Sequence, residues 1–404
     1  MSTRAAALDR GFPGWLILLG ALTAIGPLSI DMYLPALPGL ERDLAASPGA
    51  AGLTLAAFFT GMGAGQLFWG PLSDRFGRKP PLYAGLALFA LASLGCALSD
   101  SITALTFWRV LQALGGSAGM VIARAVVRDR CAARESARAF SMLLLVMGLA
   151  PILAPLLGAW LDDALGWRAI FLLLTIFALA CLLAIHFGLA ESHDSRHEPP
   201  LSLVGTLRGY TDLLVSRPFL GYTLSSGLAM AGLFAYITGS PFVLIELAGI
   251  PATYFGWIFG VNALGFVAAS QLNARALKNH EPSRLLRRAL WVPALTGGAL
   301  ALLAGNGLFS VPSLLLGLFF YISSLGFIMP NASANALATH GQRAGSASAL
   351  LGALQFGLAT LAGLGISALH DGSALPLTLL LALCGIGAWG AHRWLLHPHE
   401  SRHG

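Results

Sequence analysis

The chain has 404 residues, of which 56% are hydrophobic and only 10% charged. A soluble fold of this size covers itself with about 25% charged residues, so a water-solvated domain is excluded and lipid must be the main solvent. The net charge of +6 falls in the segments between apolar blocks, which suits an anionic membrane leaflet and excludes a nucleic-acid footprint.

In chain order the apolar blocks run over 15–36, 51–70, 81–98, 102–124, 137–160 and 168–189. Six more follow over 218–243, 253–271, 285–305, 311–334, 345–368 and 374–396. Each is near the ~20 residues with which an α-helix crosses hydrocarbon. Unpaired backbone groups are not tolerated there, and ten-residue alternating segments are absent, so the spans read as helices and not as a barrel. The fold class is an all-α membrane protein of twelve spans. Asp31 and two prolines stand near the end of the first span where a small-residue cleavage site would sit, so it reads as a retained helix and not a signal peptide.

Lys and Arg orient the chain through the positive-inside bias. With both termini cytoplasmic, the outer loops hold only Arg42 and Arg168, Arg109 lies within a span, and the remaining 21 of the 24 Lys and Arg lie inside. The four cysteines, Cys96, Cys131, Cys181 and Cys384, are scattered and imply no disulfide or metal framework. His392, His397, His399 and His403 crowd the tail, which reads as solvated, and no metal is assigned.

Residues 190–216 form the longest polar stretch and divide six spans from six, so 1–189 and 217–404 read as two halves joined by a cytoplasmic linker. Such repeats are common in transporters, with the substrate site at the midplane between them. At an offset of 200 residues, Gly70-Pro71-Leu72-Ser73-Asp74-Arg75-Phe76-Gly77-Arg78 faces Ser270-Gln271-Leu272-Asn273-Ala274-Arg275-Ala276-Leu277-Lys278. Leu and Arg recur in step, while the acid and both glycines are lost.

Gly70, Leu72, Asp74, Arg75, Gly77, Arg78 and Lys79 reproduce the loop signature of the major facilitator superfamily, between the second and third spans where that family has it. Three further stretches resemble its drug:proton antiporter group, and within it the bicyclomycin and chloramphenicol resistance (Bcr/CflA) branch. They are Asp31 to Pro38, Arg109 to Gly115 running on through Arg124 to Asp129, and Ala344 to Gly352. The antiporter signature of the fifth span departs from the pattern, since Ala150, Ala154-Pro155 and Gly158-Ala159 stand where a Gly-Pro pair and further glycines are usual. Pro151 and Pro155, one turn apart, predict a bent fifth helix.

The resemblance implies alternating access, driven by a proton gradient without a cofactor, by a monomer in a bacterial inner membrane. It implies conformational gating by Asp74, Arg75, Gly77 and Arg78 of the signature loop, with Arg124, Pro151 and Pro155 on the adjoining helices. Its partners are protons and a small drug-like substrate.

The residues add a chemistry of their own. Apart from Asp31, every Asp and Glu lies in a loop or at a span end, with Glu246 nearest to an exception. An intramembrane carboxylate is costly and marks function by default; the bland alternative is that Asp31 lies at the outer interface and meets water. Thr23, Pro27 and Asp31 share one helical face, which should line the central cavity. Arg109 lies at comparable depth in the fourth span, so an Asp31–Arg109 pair for proton coupling is expected, or else a structural ion pair. Gln112 lies one turn on from Arg109. With Tyr33, Tyr236, Asn262 and Gln355 these residues suit an apolar substrate pocket with a few orienting polar groups, although each is as apt to join two helices. Gly61, Gly63 and Gly65 lack the strand, Lys and Ser/Thr of a phosphate loop and read as packing glycines. No Walker motif or catalytic pair beyond Asp31 and Arg109 is present, so an enzyme is not expected. An exporter of an amino acid or nucleoside is the alternative within transport, and a non-transporting membrane sensor or intramembrane enzyme the alternative outside it.

The charge asymmetry makes a prediction. A reporter active only outside the cytoplasm, fused after Arg196 or at the C-terminus, should be silent, and strong activity at either place would contradict the orientation.

Overall fold

The computed structural model describes residues 14–47, 49–130, 143, 150, 153–192, 203–338 and 344–400. The principal helices are α1 (Gly14–Asp31), α2 (Ala50–Phe76), α3 (Lys79–Ala97), α4 (Ile102–Arg130), α5 (153–165) and α6 (Arg168–Gly188). After them come α7 (Arg217–Pro241), α8 (Ala252–Ala276), α9 (Trp291–Gly305), α10 (Val311–Ala338), α11 (Ala344–Ala368) and α12 (Leu375–Glu400). Among the described residues, eleven helical stretches are long and apolar enough to cross a membrane. They coincide with eleven of the twelve expected spans. The twelfth, 137–160, is described mainly from residue 153, where α5 carries Pro155; Pro151 lies outside the described residues, as does Cys131.

One sequence expectation needs correction. The first span does not continue as one helix to residue 36: α1 ends at Asp31, a single 3₁₀ turn covers Leu34–Ala36, and a short helix Leu37–Asp43 follows. Pro35 has no N–H to return to the Asp31 carbonyl four residues earlier, so the ladder stops there. Within the stretch 190–216, expected as the linker between the halves, Leu203–Val215 is a helix. Its Leu213 is buried with Phe219 and Leu350, which provides the apolar contact such a helix needs.

Before that helix, α2 lies along α4, α3 against α4 and α6, and α1 against α4 and α6. Beyond it, α7 packs on α10, α11 and α12, α8 on α10, and α9 on α12 and α10. The two sets meet chiefly where α2 runs antiparallel to α11. Gly52 lies on Ser367 and Thr238, Ala56 on Gly363, Thr60 bonds Thr360 at 3.1 Å, Gly63 faces Phe356, and Gln66 faces Gly352. Past Gln66 the helices part, because Gly70 has no atom within 4 Å of a Cβ added there and Phe76 is 58% exposed. Among the described residues, the seam is closed at the end holding residues 41–52 and splayed at the end holding Gly77.

The glycines of α2 make this possible. A Cβ on Gly61 would overlap the Val110 carbonyl oxygen and lie 2.8 Å from the Ala113 Cβ; one on Gly65 would overlap the Ser117 hydroxyl. Both therefore face α4, while Gly63 faces α11, so the three glycines serve two interfaces. Close backbone approach of this kind is a main source of helix association in lipid, where the hydrophobic effect gives none. Gly61→Leu should force α2 and α4 apart, at about 3 kcal/mol. Loss of folded protein in a detergent melting assay, beside an unaffected Gly70→Leu, would bear this out; equal melting of both variants would not.

Candidate functional site

Arg109 on α4 is fully buried. Its guanidinium lies 4.2 Å from the Phe58 ring centre, 4.9 Å from Tyr33 and 5.8 Å from Phe171. One nitrogen, Nη1, donates to the Ser29 carbonyl at 3.0 Å and to Gln112 Oε1 at 2.7 Å. The Gln112 amide in turn donates to Ser93 Oγ at 2.8 Å. Ser29 stands in the last turn of α1, where carbonyls lack helical donors and the macrodipole is negative. Arg109 thus caps α1 while aromatic faces solvate its charge. Its Nε and Nη2 have no hydrogen-bond acceptor among the described residues.

Asp31 is 4% exposed and is the one carboxylate among the described residues below a tenth exposed. The expected pairing with Arg109 is not present: none of the ion pairs among the described residues includes either residue. The physical reason lies in the helix. Ser29 and Asp31 are two residues apart, so they project to nearly opposite sides of α1, and Arg109 sits on the Ser29 side. Asp31 instead acts electrostatically on Tyr236 of α7. The Tyr236 hydroxyl accepts from Asn262 Nδ2 at 3.0 Å, and its ring stacks on Phe259 at 4.9 Å. The expected site residues therefore form two groups. Arg109, Gln112 and Tyr33 make one, and Asp31, Tyr236 and Asn262 the other, with α1 between them. Tyr33 is fully buried with its hydroxyl 2.9 Å from Thr54 Oγ1, so it touches Arg109 and not open space.

Gln355 is bound into the α7–α11 contact, donating to Ser226 Oγ at 3.3 Å. Across the seam, Phe59, Phe234 and Phe356 form a continuous aromatic wall with ring centres 4.3 and 5.7 Å apart. Arg124 is exposed although set among the helices, with Nη2 reaching Gln66 Oε1 at 3.4 Å. It stands where α2 and α11 begin to part and so borders the splayed opening.

The signature loop closes on its own side of the seam. Arg78 donates to Asp74 at 2.6 Å and to Asp129 of α4 at 2.7 Å, and also to Ser73 at 3.0 Å. Burial opposes the Arg78 charge, but the Asp129 and Asp74 bonds outweigh it and its pKa is raised. Gly77 adopts φ +87°, a left-handed turn that suits glycine. A Cβ on it would also lie 2.9 Å from Glu191, whose carboxylate accepts from the Arg78 and Lys79 amides at 2.8 and 3.0 Å. Glu191 thereby caps α3 from more than a hundred residues away. In the degenerate copy, Asn273 stands in step with Ser73, equally buried, and accepts from Asn331 of α10 at 2.7 Å. Sequence reasoning missed Asp129, Glu191 and Ser93 as parts of these networks. Only Asp129, at the end of the fourth-span motif, carried a signal.

The Arg109 geometry predicts that Lys is no substitute. A point charge would keep one hydrogen bond but lose the flat contact with Phe58 and the second bond. Arg109→Lys should lose transport and about 2 kcal/mol of stability; wild-type transport and melting in this variant would reduce Arg109 to a generic positive charge.

Residues 19–365 match the sequence model of the Major Facilitator Superfamily. An uncharacterized MFS-type transporter, YdgK of Bacillus subtilis, is 35% identical over 91% of this chain and 92% of its own length. The bicyclomycin resistance protein homolog of Haemophilus influenzae is 32% identical, covering 92% of this chain and 93% of its own. The multidrug resistance protein MdtL of Shigella dysenteriae is 31% identical, with 93% and 90% covered. In fold, the crystal structure of a D-xylose-proton symporter superposes with a TM-score of 0.71 at 15% identity over 94% of this chain and 98% of that one. With its apolar helices and the family match over most of its length, the chain is a multi-pass membrane transporter of the major facilitator superfamily and falls with that superfamily's Bcr/CflA branch.

Proposed function

We propose that the chain exports small drug-like molecules from the bacterial cytoplasm in exchange for protons, by alternating access, as a monomer with both termini inside. Residues 1–189 and 217–404 act as the two moving halves, joined through 190–216. The observation that carries the reading is Asp31, a carboxylate buried at the seam, without an ion-pair partner and acting on Tyr236 of the opposite set of helices. Such an acid is readily protonated, so it can exchange a proton for substrate as the seam opens on one side and then the other. The relatives named for bicyclomycin and multidrug resistance support the drug-like class, as does the aromatic wall of Phe59, Phe234 and Phe356.

In this reading the splayed end beside Arg124 and Gly77 faces the cytoplasm and admits substrate. Arg109 holds the end of α1 fixed and supplies a permanent positive charge. The loop around Asp74, Arg75, Gly77 and Arg78 is held on Asp129 of its own half and Glu191 of the linker, and engages the other half when the opening closes. The gradient suffices for the task, since the membrane potential gives about 2.3 kcal/mol per charge per 100 mV and each pH unit about 1.4 kcal/mol.

Asp31→Asn tests the reading, because Asn keeps the size and hydrogen-bonding reach but cannot titrate. In proteoliposomes with an imposed pH gradient, wild-type protein should concentrate a substrate found by a growth-inhibition panel, and the variant should not. A variant that still concentrates it in response to the gradient would remove Asp31 as the coupling residue.

A further inference from the structure

A cavity of about 350 Å³ lies at the closed end of the seam, away from the Asp31 and Arg109 groups. One wall is Leu37, Pro38 and Glu41 from the helix Leu37–Asp43; the other carries Thr238, Phe242 and Glu246 from the end of α7 and the turn after it. His370, from the end of α11, also lines it and packs its ring 4.4 Å from Phe242. The two carboxylates and His370 are close enough to interact electrostatically, but no set of three such residues could hold a metal ion among the described residues. Glu41 is anchored by the Ala51 amide at 2.8 Å, and Glu246 is exposed at the rim. Arg42, the one Lys or Arg in the lining, bonds the Pro38 carbonyl at 3.3 Å and acts on Asp162. Thr238 is 6% exposed, and its hydroxyl oxygen has no hydrogen-bond partner.

We propose that this vestibule is a second ligand site, for amphipathic organic cations arriving from the side opposite the splayed opening. The size matches small-molecule sites, which are concave and apolar with a few convergent polar groups. Phe242, Leu37 and Pro38 take the apolar body of the ligand. Glu41 and Glu246, one from each wall, take its positive charge. Because the walls belong to the two sets of helices that meet along α2 and α11, an occupant bridges them and holds this end shut. The proposal rests on the transport reading only in taking this end as the one that faces away from the cytoplasm, and binding is measured without any gradient, so a failure of proton coupling leaves the test intact.

The probe is tetraphenylphosphonium, titrated calorimetrically into the full-length protein in detergent. Glu246→Gln and Glu41→Gln should each weaken one binding component about fivefold, the loss expected for a partly exposed charge pair, and Asp31→Asn should leave that component in place. Glutamine retains the oxygen that accepts from Ala51, so neither variant threatens the fold. Neutral triphenylphosphine oxide should bind wild type and variants alike. Absence of phosphonium binding, binding indifferent to both glutamine variants, or binding lost only with Asp31→Asn would each overturn the site.

Discussion

A fully buried guanidinium is the constraint around which this molecule is arranged. Among the described residues Arg109 reaches no carboxylate, so its charge is carried by the faces of Phe58, Tyr33 and Phe171, by Gln112, and by the last turn of α1 through Ser29. Each of these is a weak partner alone, and together they replace a hydration shell. The arrangement fixes where α1 may end. With Pro35 unable to continue the ladder, the helix stops at Asp31, and the carboxylate is presented on the side away from the arginine. A direct pair would have favoured the charged form of Asp31 and opposed its protonation. On the proposed coupling, separation by the body of one helix keeps Arg109 a permanent charge and lets Asp31 exchange its proton.

The same geometry links the site to the two ends of the seam. Asp31 acts on Tyr236, which belongs with the helices beyond residue 203, whereas Arg109 is packed wholly among those before it. A change in charge at Asp31 would therefore be felt across the interface between the two sets of helices. At one end of that interface the glycine contacts of α2 hold α11 from Gly52 to Gln66; at the other, Arg78 and Glu191 gather the loop on its own side. The vestibule lined by Glu41, Glu246 and His370 occupies the closed end.

Much of this was legible in the sequence, for reasons that differ by residue. Apolar blocks give spans because hydrocarbon leaves the backbone no other choice, and the expected edges hold to within a few residues for eleven of them. Asp31, Arg109 and Gln112 stood out because polar groups in such blocks are costly. Their mutual placement was not legible, since depth alone put Asp31 and Arg109 together and only the rotation of α1 separates them. Glu191 was hidden for a different reason. A capping carboxylate more than a hundred residues from the helix it caps leaves no local periodicity, and its polar neighbours made it read as linker. The helix Leu203–Val215 was masked by the same polar context, although Leu213 gives it an apolar face.

The central claim is that one buried carboxylate exchanges a proton for substrate, and it is tested most directly by following protons as substrate binds. Purified protein in weakly buffered detergent solution, with a pH-sensitive dye, should release protons when a transported substrate is added, and the Asp31→Asn variant should bind it with no release. Equal release from both proteins would place the exchanged proton elsewhere and contradict the account.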